Sequence, residues 1–257
     1  FRSKERSYMN KTERRCAGIL EALNEEGRLQ VAELAVRCSV SLVTIRKDLT
    51  LLEERGLIRR EQGCALLNEK TSMARRLTAN YTAKCRLAEK AASLVEDGET
   101  VLIESGSCCI LLAETLGRSR KNVTIVTNSV FMADYVGKRG YARIILLGGD
   151  YQPDSEAVVG PLTKMGAQTF HVRSFFCGTD GYRSGAGFTG DDHLRAETLR
   201  GMAASADRVV ILAEGAKFSR PGVVSLFAPE EVSALVTDDS LDTRLRAEME
   251  EQQIEVL

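Results

Sequence analysis

The sequence predicts two domains of different class: a small, mainly helical N-terminal domain and a larger α/β domain with a mainly parallel sheet. In residues 11–67 the apolar side chains recur at helical spacing, and a short hairpin pattern follows them. From residue 81 onward, runs of β-branched residues alternate with helical segments. We therefore expect domains over 11–67 and 81–257, joined by a linker over 68–80, where polar residues dominate.

Charge divides the chain in the same way. Residues 1–60 hold 13 Lys and Arg against 9 Asp and Glu, whereas the remainder holds 22 against 27. The excess of positive charge in the small domain gives only moderate attraction to a polyanion. Useful affinity for such a partner would therefore require a homo-oligomer, a dimer or a tetramer.

The small domain is predicted to contain a supporting helix and then two helices joined by a tight turn. Residues 32–38 form the first of this pair, and Ser41 follows the turn as an N-cap for the second. The apolar residues of the second helix fall at i, i+3, i+7 and i+10, which predicts that one face is buried. This face consists of Leu42, Ile45, Leu49 and Leu52.

The opposite face of that helix is short, polar and cationic. It carries Val43, Thr44, Arg46 and Lys47, with Ser41 at its start. Such a set near a helix N terminus suits the major groove of DNA, where Arg or Lys meets guanine or phosphate and a Thr methyl can meet thymine.

A hairpin is predicted after the helix stops at Gly56. The Gln62-Gly63 turn separates two short strands, and Arg59 and Arg60 lie on the first of them, where a wing would meet phosphates. The combined order predicts a winged helix-turn-helix that binds double-stranded DNA. Two alternatives are a small helical domain with ordinary surface arginines and a winged helix used only for protein contacts; the cationic face argues against the second.

In the larger domain, six short apolar runs predict strands, with helical patterns between most of them. Unbroken apolar runs of this kind are typical of a parallel sheet that is covered on both faces. The runs are 101–103, 123–126, 144–147, 175–177, 209–213 and 234–236.

Each predicted strand ends in a cluster of small and polar residues. Because the carboxyl ends of parallel strands meet at one edge of a sheet, we expect these clusters to form one ligand pocket. The candidates taken from them are Glu104, Ser105, Gly106, Ser107, Cys108, Thr127, Asn128, Ser129, Gly148, Gly149, Asp180, Gly181 and Lys217.

The cluster that begins at Glu104 leads directly into a helix, so backbone N–H groups near Gly106 and Ser107 make a natural phosphate cradle. Lys217 could add a positive charge. Turn chemistry explains each isolated cluster equally well. Likewise Asp180 could bind sugar hydroxyls or only form a turn, Glu197 could face the ligand or solvent, and Lys217 could be a surface cation.

The small domain resembles the N-terminal signature of the DeoR family of bacterial transcription regulators. The matching residues are Val31 to Ala35, Val40-Ser41, Thr44 to Leu49, and Leu52 to Gly63. One departure lies in the wing, where the family usually shows H-G-G-A and this chain has Gln62-Gly63-Cys64-Ala65.

The larger domain resembles the DeoR sensor domain, which is similar to ribose-5-phosphate isomerases. Matches occur at 104–108, 127–129, 147–149, 159–160, 178–181, 187–189 and 217–218, and they add Thr189 to the candidate ligand residues. Glu104 replaces the usual Asp and Cys108 the usual second Thr. The resemblance implies a repressor of a carbohydrate-use operon that responds to a phosphorylated sugar or related metabolite.

An alternative function is a sugar-phosphate isomerase-like enzyme with an accessory winged helix. The isomerases carry D-G-A-D and a glycine-rich segment, whereas here Asp180-Gly181 is followed by Tyr182-Arg183, and no glycine run follows Lys217. No general base is identifiable, so we expect no catalytic residues.

The composition also bears on metals, disulfides and membranes. Seven cysteines without a C-x-x-C pair favour reduced thiols, and two distant histidines make a zinc site improbable. We expect no metal and no cofactor. No apolar run reaches the length of a membrane span and no signal-peptide pattern is seen, which predicts a soluble, cytoplasmic protein.

Overall fold

The computed structural model describes residues 10–68 and 72–257, which form two compact units with a boundary after Thr82. The predicted linker over 68–80 lies partly outside the described residues, at 69–71. The rest of it includes a helix, Ser72–Thr78, that belongs to the first unit and buries Met73 and Leu77.

The first unit consists of helices and one small antiparallel sheet with the strand order β1-β3-β2. In chain order its elements are α1 (Lys11–Glu26), β1 (Arg28–Gln30), α2 (Val31–Arg37), α3 (Leu42–Glu54), β2 (Ile58–Glu61), β3 (Cys64–Leu67) and α4 (Ser72–Thr78). The winged helix-turn-helix is thereby confirmed. The strand β1 was not predicted, because three residues are too few to show an alternating pattern.

The core of this unit forms between α1 and α3. Its largest side chains, Leu20, Leu23, Ile45 and Leu49, are completely buried. The prediction that Leu42 belongs to this core is wrong, since its side chain is 45% exposed. Side chains of a helix lean toward its N terminus, so the first residue of α3 projects past the end of the helix instead of into the core.

Two local features fix the ends of α3. Ser41 is its N-cap. At the other end Gly56 has φ 71°, and the Leu57 N–H donates to the Leu52 carbonyl oxygen at 3.0 Å. This bond and the one from the Gly56 N–H to the Glu53 carbonyl form a Schellman motif, which turns the chain sharply into β2.

The second unit follows the helix α5 (Tyr81–Ala92), which begins in the first unit and continues into the second. The remaining elements alternate between strands and helices. They are β4 (Thr100–Ile103), α6 (Ser107–Ser119), β5 (Thr124–Thr127), α7 (Val130–Gly137), β6 (Arg143–Leu146), β7 (Asp150–Gln152), β8 (Ala157–Val159), α8 (Pro161–Ala167), β9 (Val172–Cys177), β10 (Gly181–Arg183), β11 (Gly187–Gly190), α9 (His193–Ala203), β12 (Ala206–Leu212), β13 (Val224–Phe227), β14 (Ala234–Val236), α10 (Thr243–Glu251) and β15 (Glu255–Val256).

Seven of these strands form a parallel sheet in the order β15-β14-β12-β9-β4-β5-β6. All six predicted strands are present in it, which confirms the α/β class with a mainly parallel sheet. The strand order changes direction between β4 and β9. From β4 the chain continues to β5 and β6 on one side, and from β9 it continues to β12 and β14 on the other side. The carboxyl ends of β4 and β9 therefore flank a topological switch point, where ligands bind in open α/β sheets.

Two smaller sheets were not predicted. β10, β11 and β13 form an antiparallel sheet, and β7 pairs with β8 as a hairpin. Phe188 of the small sheet is completely buried and packs edge-on against Tyr182. Within the described part of the chain, no helix is both long and apolar enough to cross a membrane.

Candidate functional site

The exposed face of α3 carries the residues that were predicted to contact DNA. The Ser41 hydroxyl accepts a hydrogen bond from the Thr44 N–H at 3.2 Å and so begins the helix. Val43 is 63% exposed, and Arg46 and Lys47 are exposed as well. In residues 10–68 and 72–257 neither cation has an ion-pair partner, so both are available to a ligand.

A partly buried ion pair links this helix to α1. The Asp48 carboxylate, on the buried face of α3, binds the Arg15 guanidinium of α1 through two hydrogen bonds, of which Nη2 to Oδ1 is 2.9 Å long. The bond to Asp48 raises the pKa of Arg15 and holds it in the charged form. No sequence signal predicted this pair, because its members lie on different helices.

The wing is a two-residue hairpin between β2 and β3. Gln62 and Gly63 both have positive φ, at 48° and 78°, as a type I′ turn requires. Arg59 and Arg60 are exposed but paired with carboxylates. Arg59 binds Glu61, and the Arg60 Nε donates to the Glu53 Oε2 at 2.7 Å, which lowers the pKa of Glu53. Contact with a phosphate would replace these carboxylates.

In the second unit the N terminus of α6 lies at the switch point. Gly106 is its N-cap, and no side chain caps the helix. The first backbone N–H groups of α6, at Ser107, Cys108 and Cys109, cannot find a partner inside the helix. These N–H groups stay candidates for the predicted phosphate cradle, whereas the Gly106 N–H donates to the Glu104 Oε2 at 2.9 Å.

Glu104 is completely buried, and its carboxylate accepts hydrogen bonds from other residues of the chain. Oε2 also accepts the Gly178 N–H at 3.1 Å, and Oε1 accepts the Arg195 Nε at 2.8 Å. The structure thus places this predicted ligand residue beneath the site, as an internal anion that ties β4, β9 and α9 together.

Arg195 was not predicted and is central to the site. Besides binding Glu104, its Nη1 lies 3.5 Å from the Asp180 Oδ2. Burial lowers the pKa of Arg195, but the charges of Glu104 and Asp180 outweigh burial, so the pKa is raised and the side chain stays charged. Asp180 is 26% exposed and lines a small cleft together with Arg195 and Gly178.

Two lysines lie near the start of α6. The Lys217 Nζ donates to the Thr179 carbonyl oxygen at 3.1 Å, and the Lys84 Nζ lies 3.2 Å from the Glu214 Oε2. Burial raises the pKa of the Cys108 thiol to about 11, while the positive charges of Lys84 and Lys217 oppose that rise. Lys84 was not predicted, because it lies on α5, far in sequence from the strand ends.

Three predicted residues after β5 make contacts within the protein. The Thr127 Oγ1 accepts the Ser129 N–H at 3.0 Å, and the Ser129 Oγ caps α7 by accepting the Met132 N–H at 3.0 Å. The Asn128 Nδ2 donates to the Val158 carbonyl oxygen at 3.0 Å, and its buried Oδ1 has no partner among the described residues. These side chains shape the loop and are completely buried.

Several further predicted residues are explained by packing. A Cβ at Gly149 would lie 2.1 Å from the Thr163 Oγ1, and one at Gly181 would lie 2.2 Å from the Arg220 carbonyl oxygen. The Thr189 Oγ1 accepts the Gly222 N–H at 2.7 Å. Close backbone approach explains the two glycines, and the hydrogen bond to Gly222 explains Thr189, whatever their role toward a ligand.

The other predicted residues differ in exposure. Gly148 is exposed, and its carbonyl oxygen accepts a hydrogen bond from Thr163. Ser105 is buried, and its hydroxyl donates to Glu104. Glu197 lies on the exposed face of α9, where its carboxylate is 2.5 Å from the Lys164 Nζ, so the structure does not gather it with the residues around α6.

Comparison with family models identifies both units. A model described as the DeoR-like helix-turn-helix domain matches residues 15–71, and one described as the DeoR C terminal sensor domain matches residues 79–239. The chain belongs to the DeoR family. It is a DNA-binding transcription regulator with a C-terminal sensor domain.

Relatives match over nearly the whole chain. The L-fucose operon activator of Haemophilus influenzae is 28% identical over 92% of this chain and 96% of its own length. The glycerol-3-phosphate regulon repressor of Escherichia coli is 29% identical, with 86% and 88% covered. The lactose phosphotransferase system repressor of Streptococcus mutans is 26% identical, with 91% and 95% covered.

Among solved structures, the chain is similar to ribose 5-phosphate isomerase A from Methanocaldococcus jannaschii. The identity is 16%, the TM-score is 0.40, and the match covers 54% of this chain and 55% of that chain. The curated relatives, by contrast, are named as regulators, which supports the regulator over the isomerase-like alternative.

Proposed function

We propose that this DeoR-family regulator represses a carbohydrate-use operon and that a phosphorylated sugar or related metabolite controls its affinity for operator DNA. The carrying observation is the uncapped N terminus of α6, together with two lysines, Lys84 and Lys217, whose positive charges act on Cys108, the second residue of that helix. A helix N terminus with nearby cations favours a phosphate. Two of the three relatives described above are named as repressors, and the three names refer to L-fucose, the lactose phosphotransferase system and glycerol 3-phosphate.

The DNA contacts follow from exposure and charge. We assign Val43, Thr44, Arg46 and Lys47, with Ser41 at the helix start, to the major groove. Because Arg59, Arg60 and Gln62 lie on the wing, they are assigned to the phosphate backbone. A regulator that binds operator DNA acts in the cytoplasm.

The effector contacts divide into two groups. The phosphate binds the N–H groups of Ser107, Cys108 and Cys109, and the sugar hydroxyls reach Asp180, which is partly exposed. Most other predicted residues support the site from beneath or beside it. These are Glu104, Ser105, Gly106, Thr127, Asn128, Ser129, Gly148, Gly149, Gly181 and Thr189.

Assembly into a dimer or tetramer would double or quadruple the cationic surface offered to DNA. Exposed apolar side chains on the second unit support such an assembly. They lie on β6, β7 and α8: Leu146 is 45% exposed, Tyr151 53%, Leu162 65% and Met165 62%. Sedimentation of the wild type and of Met165→Lys tests this surface. The variant should shift to a smaller species, and an unchanged distribution would place the subunit contact elsewhere.

Titration of a labelled DNA fragment from upstream of the chain's own gene tests the main proposal. Fluorescence anisotropy is measured with and without glycerol 3-phosphate, ribose 5-phosphate and fructose 6-phosphate. At least one should weaken DNA binding and also raise the unfolding temperature. A ligand at 100 times its Kd adds about 2.7 kcal/mol to the stability of the state it binds. Tight DNA binding that no phosphorylated compound alters would contradict the proposed effector class.

A further inference from the structure

Two apolar side chains at the start of α3 are exposed to solvent. Leu42, the first residue of the helix, is 45% exposed, and Val43, the second, is 63% exposed. Val36 of α2 is 79% exposed, and together with Leu42 it lines a surface groove beside the turn that joins the two helices. Isolated exposed apolar side chains are ordinary on a protein surface, whereas a group of three around one turn indicates a contact.

The polar side chains of the same face can donate hydrogen bonds but hardly accept them. Arg46 and Lys47 are exposed, and both carry donors only. The hydroxyls of Ser41 and Thr44 bond each other at 3.0 Å. The Asp48 carboxylate is buried. The first two turns of α3 therefore expose no carboxylate and no amide, and what they offer a ligand is cationic donors and methyl groups.

This composition limits which bases the face can recognise in the major groove. Adenine and cytosine present amino groups there, and a side chain that reads an amino group needs an acceptor, as Asn, Gln, Asp and Glu have. Guanine presents two acceptors that suit Arg or Lys, and thymine presents a methyl group. Because Val43 and Arg46 are neighbours at i and i+3 on one helix face, they suit a thymine next to a guanine.

We propose that Val43 is a specificity-determining residue whose side chain packs against the methyl group of an operator thymine, next to the guanine that Arg46 binds. The inference rests on the proposed function, because it requires α3 to lie in the major groove. Residues near the N terminus of a recognition helix contact base edges, and Val43 is the second residue of α3 and more exposed than Leu42. Burial of one methyl group corresponds to about fourfold in affinity.

The experiment removes that methyl group from the DNA. The wild-type protein first selects its operator from a library of random DNA. Each thymine of the operator is then replaced in turn by uracil, which pairs with adenine as thymine does but lacks the methyl group. Fluorescence anisotropy gives the ratio of the Kd for the uracil form to the Kd for the thymine form at each position.

At a thymine next to a guanine-cytosine pair, the wild-type ratio should be about fourfold. Val43→Ala should bind the uracil and thymine forms of that position equally, because the shortened side chain no longer reaches the methyl group. Its unfolding should stay that of the wild type, since the side chain is exposed.

Two control variants separate this contact from general effects on binding. Val36→Ala makes the same substitution at a more exposed valine on α2, and it should keep the wild-type ratio. Thr44→Ser removes the methyl group of the half-buried neighbour on α3 but keeps its hydroxyl, and it should keep the ratio as well.

Equal binding of the uracil and thymine forms by the wild type at every position would overturn the inference. A wild-type ratio in Val43→Ala would overturn it too, and so would loss of the ratio in Val36→Ala or in Thr44→Ser, because the methyl group would then contact another side chain. A wild-type protein that enriches no sequence from the library would instead contradict the proposed function.

Discussion

The side chains assigned to DNA point into solvent, whereas those around the N terminus of α6 are mostly buried and hydrogen-bonded to one another. Arg46 and Lys47 have no ion pair within residues 10–68 and 72–257, while Glu104 accepts hydrogen bonds from Gly106, Gly178 and Arg195. The major groove of DNA is wide enough to admit a helix, so an exposed protein surface contacts it. A small anion must be surrounded, so the residues that surround it are themselves packed.

This difference changes what a substitution tests. On α3, removing an exposed side chain removes a contact to DNA but leaves the fold intact. Around α6, removing a buried side chain also removes an internal partner, as Glu104 and Arg195 illustrate. Each unit also contains an ion pair around a buried carboxylate: Arg15 with Asp48 in the first, and Arg195 with Glu104 in the second.

Substitution of Arg15 should have the largest effect. Arg15→Ala leaves the Asp48 carboxylate, which is 3% exposed, without its cation, and loss of one partner of a buried pair costs about 3–5 kcal/mol. Chemical denaturation of the variant should show the first unit unfolding at lower denaturant, together with loss of operator binding. The exposed Arg28→Ala, on β1 of the same unit, is the control and should change stability by less than about 0.5 kcal/mol. Equal stability of both variants would mean that the pair does not hold α3.

Arg46→Ala tests the outward face of α3. If Arg46 contacts a base edge, specific operator binding should weaken by about 1–3 kcal/mol, while unfolding stays that of the wild type because the side chain is exposed. Anisotropy with the operator and with a scrambled fragment measures the difference. Equal losses on both fragments would reassign Arg46 to a phosphate, and no loss on either would remove it from the interface.

Gly106→Ala tests the crowded edge of the effector site. A Cβ at Gly106 would lie 2.9 Å from the Glu104 Oε2, so the buried carboxylate would have to move, and overpacking of this kind costs about 1–3 kcal/mol. Effector affinity should fall while operator binding without effector remains. Gly137→Ala, on α7, is the matched control, since a Cβ there would make only an ordinary contact, 3.8 Å from the Ile144 side chain. Wild-type effector affinity in Gly106→Ala would place the anion elsewhere.

Sequence reasoning succeeded where the signal was local. The Ser41 cap, the Gly56 stop and the Gln62-Gly63 turn each depend on neighbouring residues, and the six apolar runs are long enough to identify as strands. The strands β1, β7 and β15 were missed because their short sequences, Arg-Leu-Gln, Asp-Tyr-Gln and Glu-Val, contain no run of apolar residues. Lys84 and Arg195 were not predicted because their partners are distant in sequence and only the fold brings them together.

The smallest effect is expected on the wing, where Arg60 and Glu53 form an exposed ion pair. Arg60 must leave Glu53 to bind a DNA phosphate, and an exposed pair contributes only about 0–1 kcal/mol, so the exchange costs little. Arg60→Ala should weaken binding evenly across sequences and reduce the slope of log K against log salt by about 0.9, the value of one phosphate contact. Glu53→Gln should strengthen binding slightly, because the competing carboxylate is gone. An unchanged salt slope in Arg60→Ala would show that this arginine stays with Glu53 in the complex and that the wing contacts DNA through other residues.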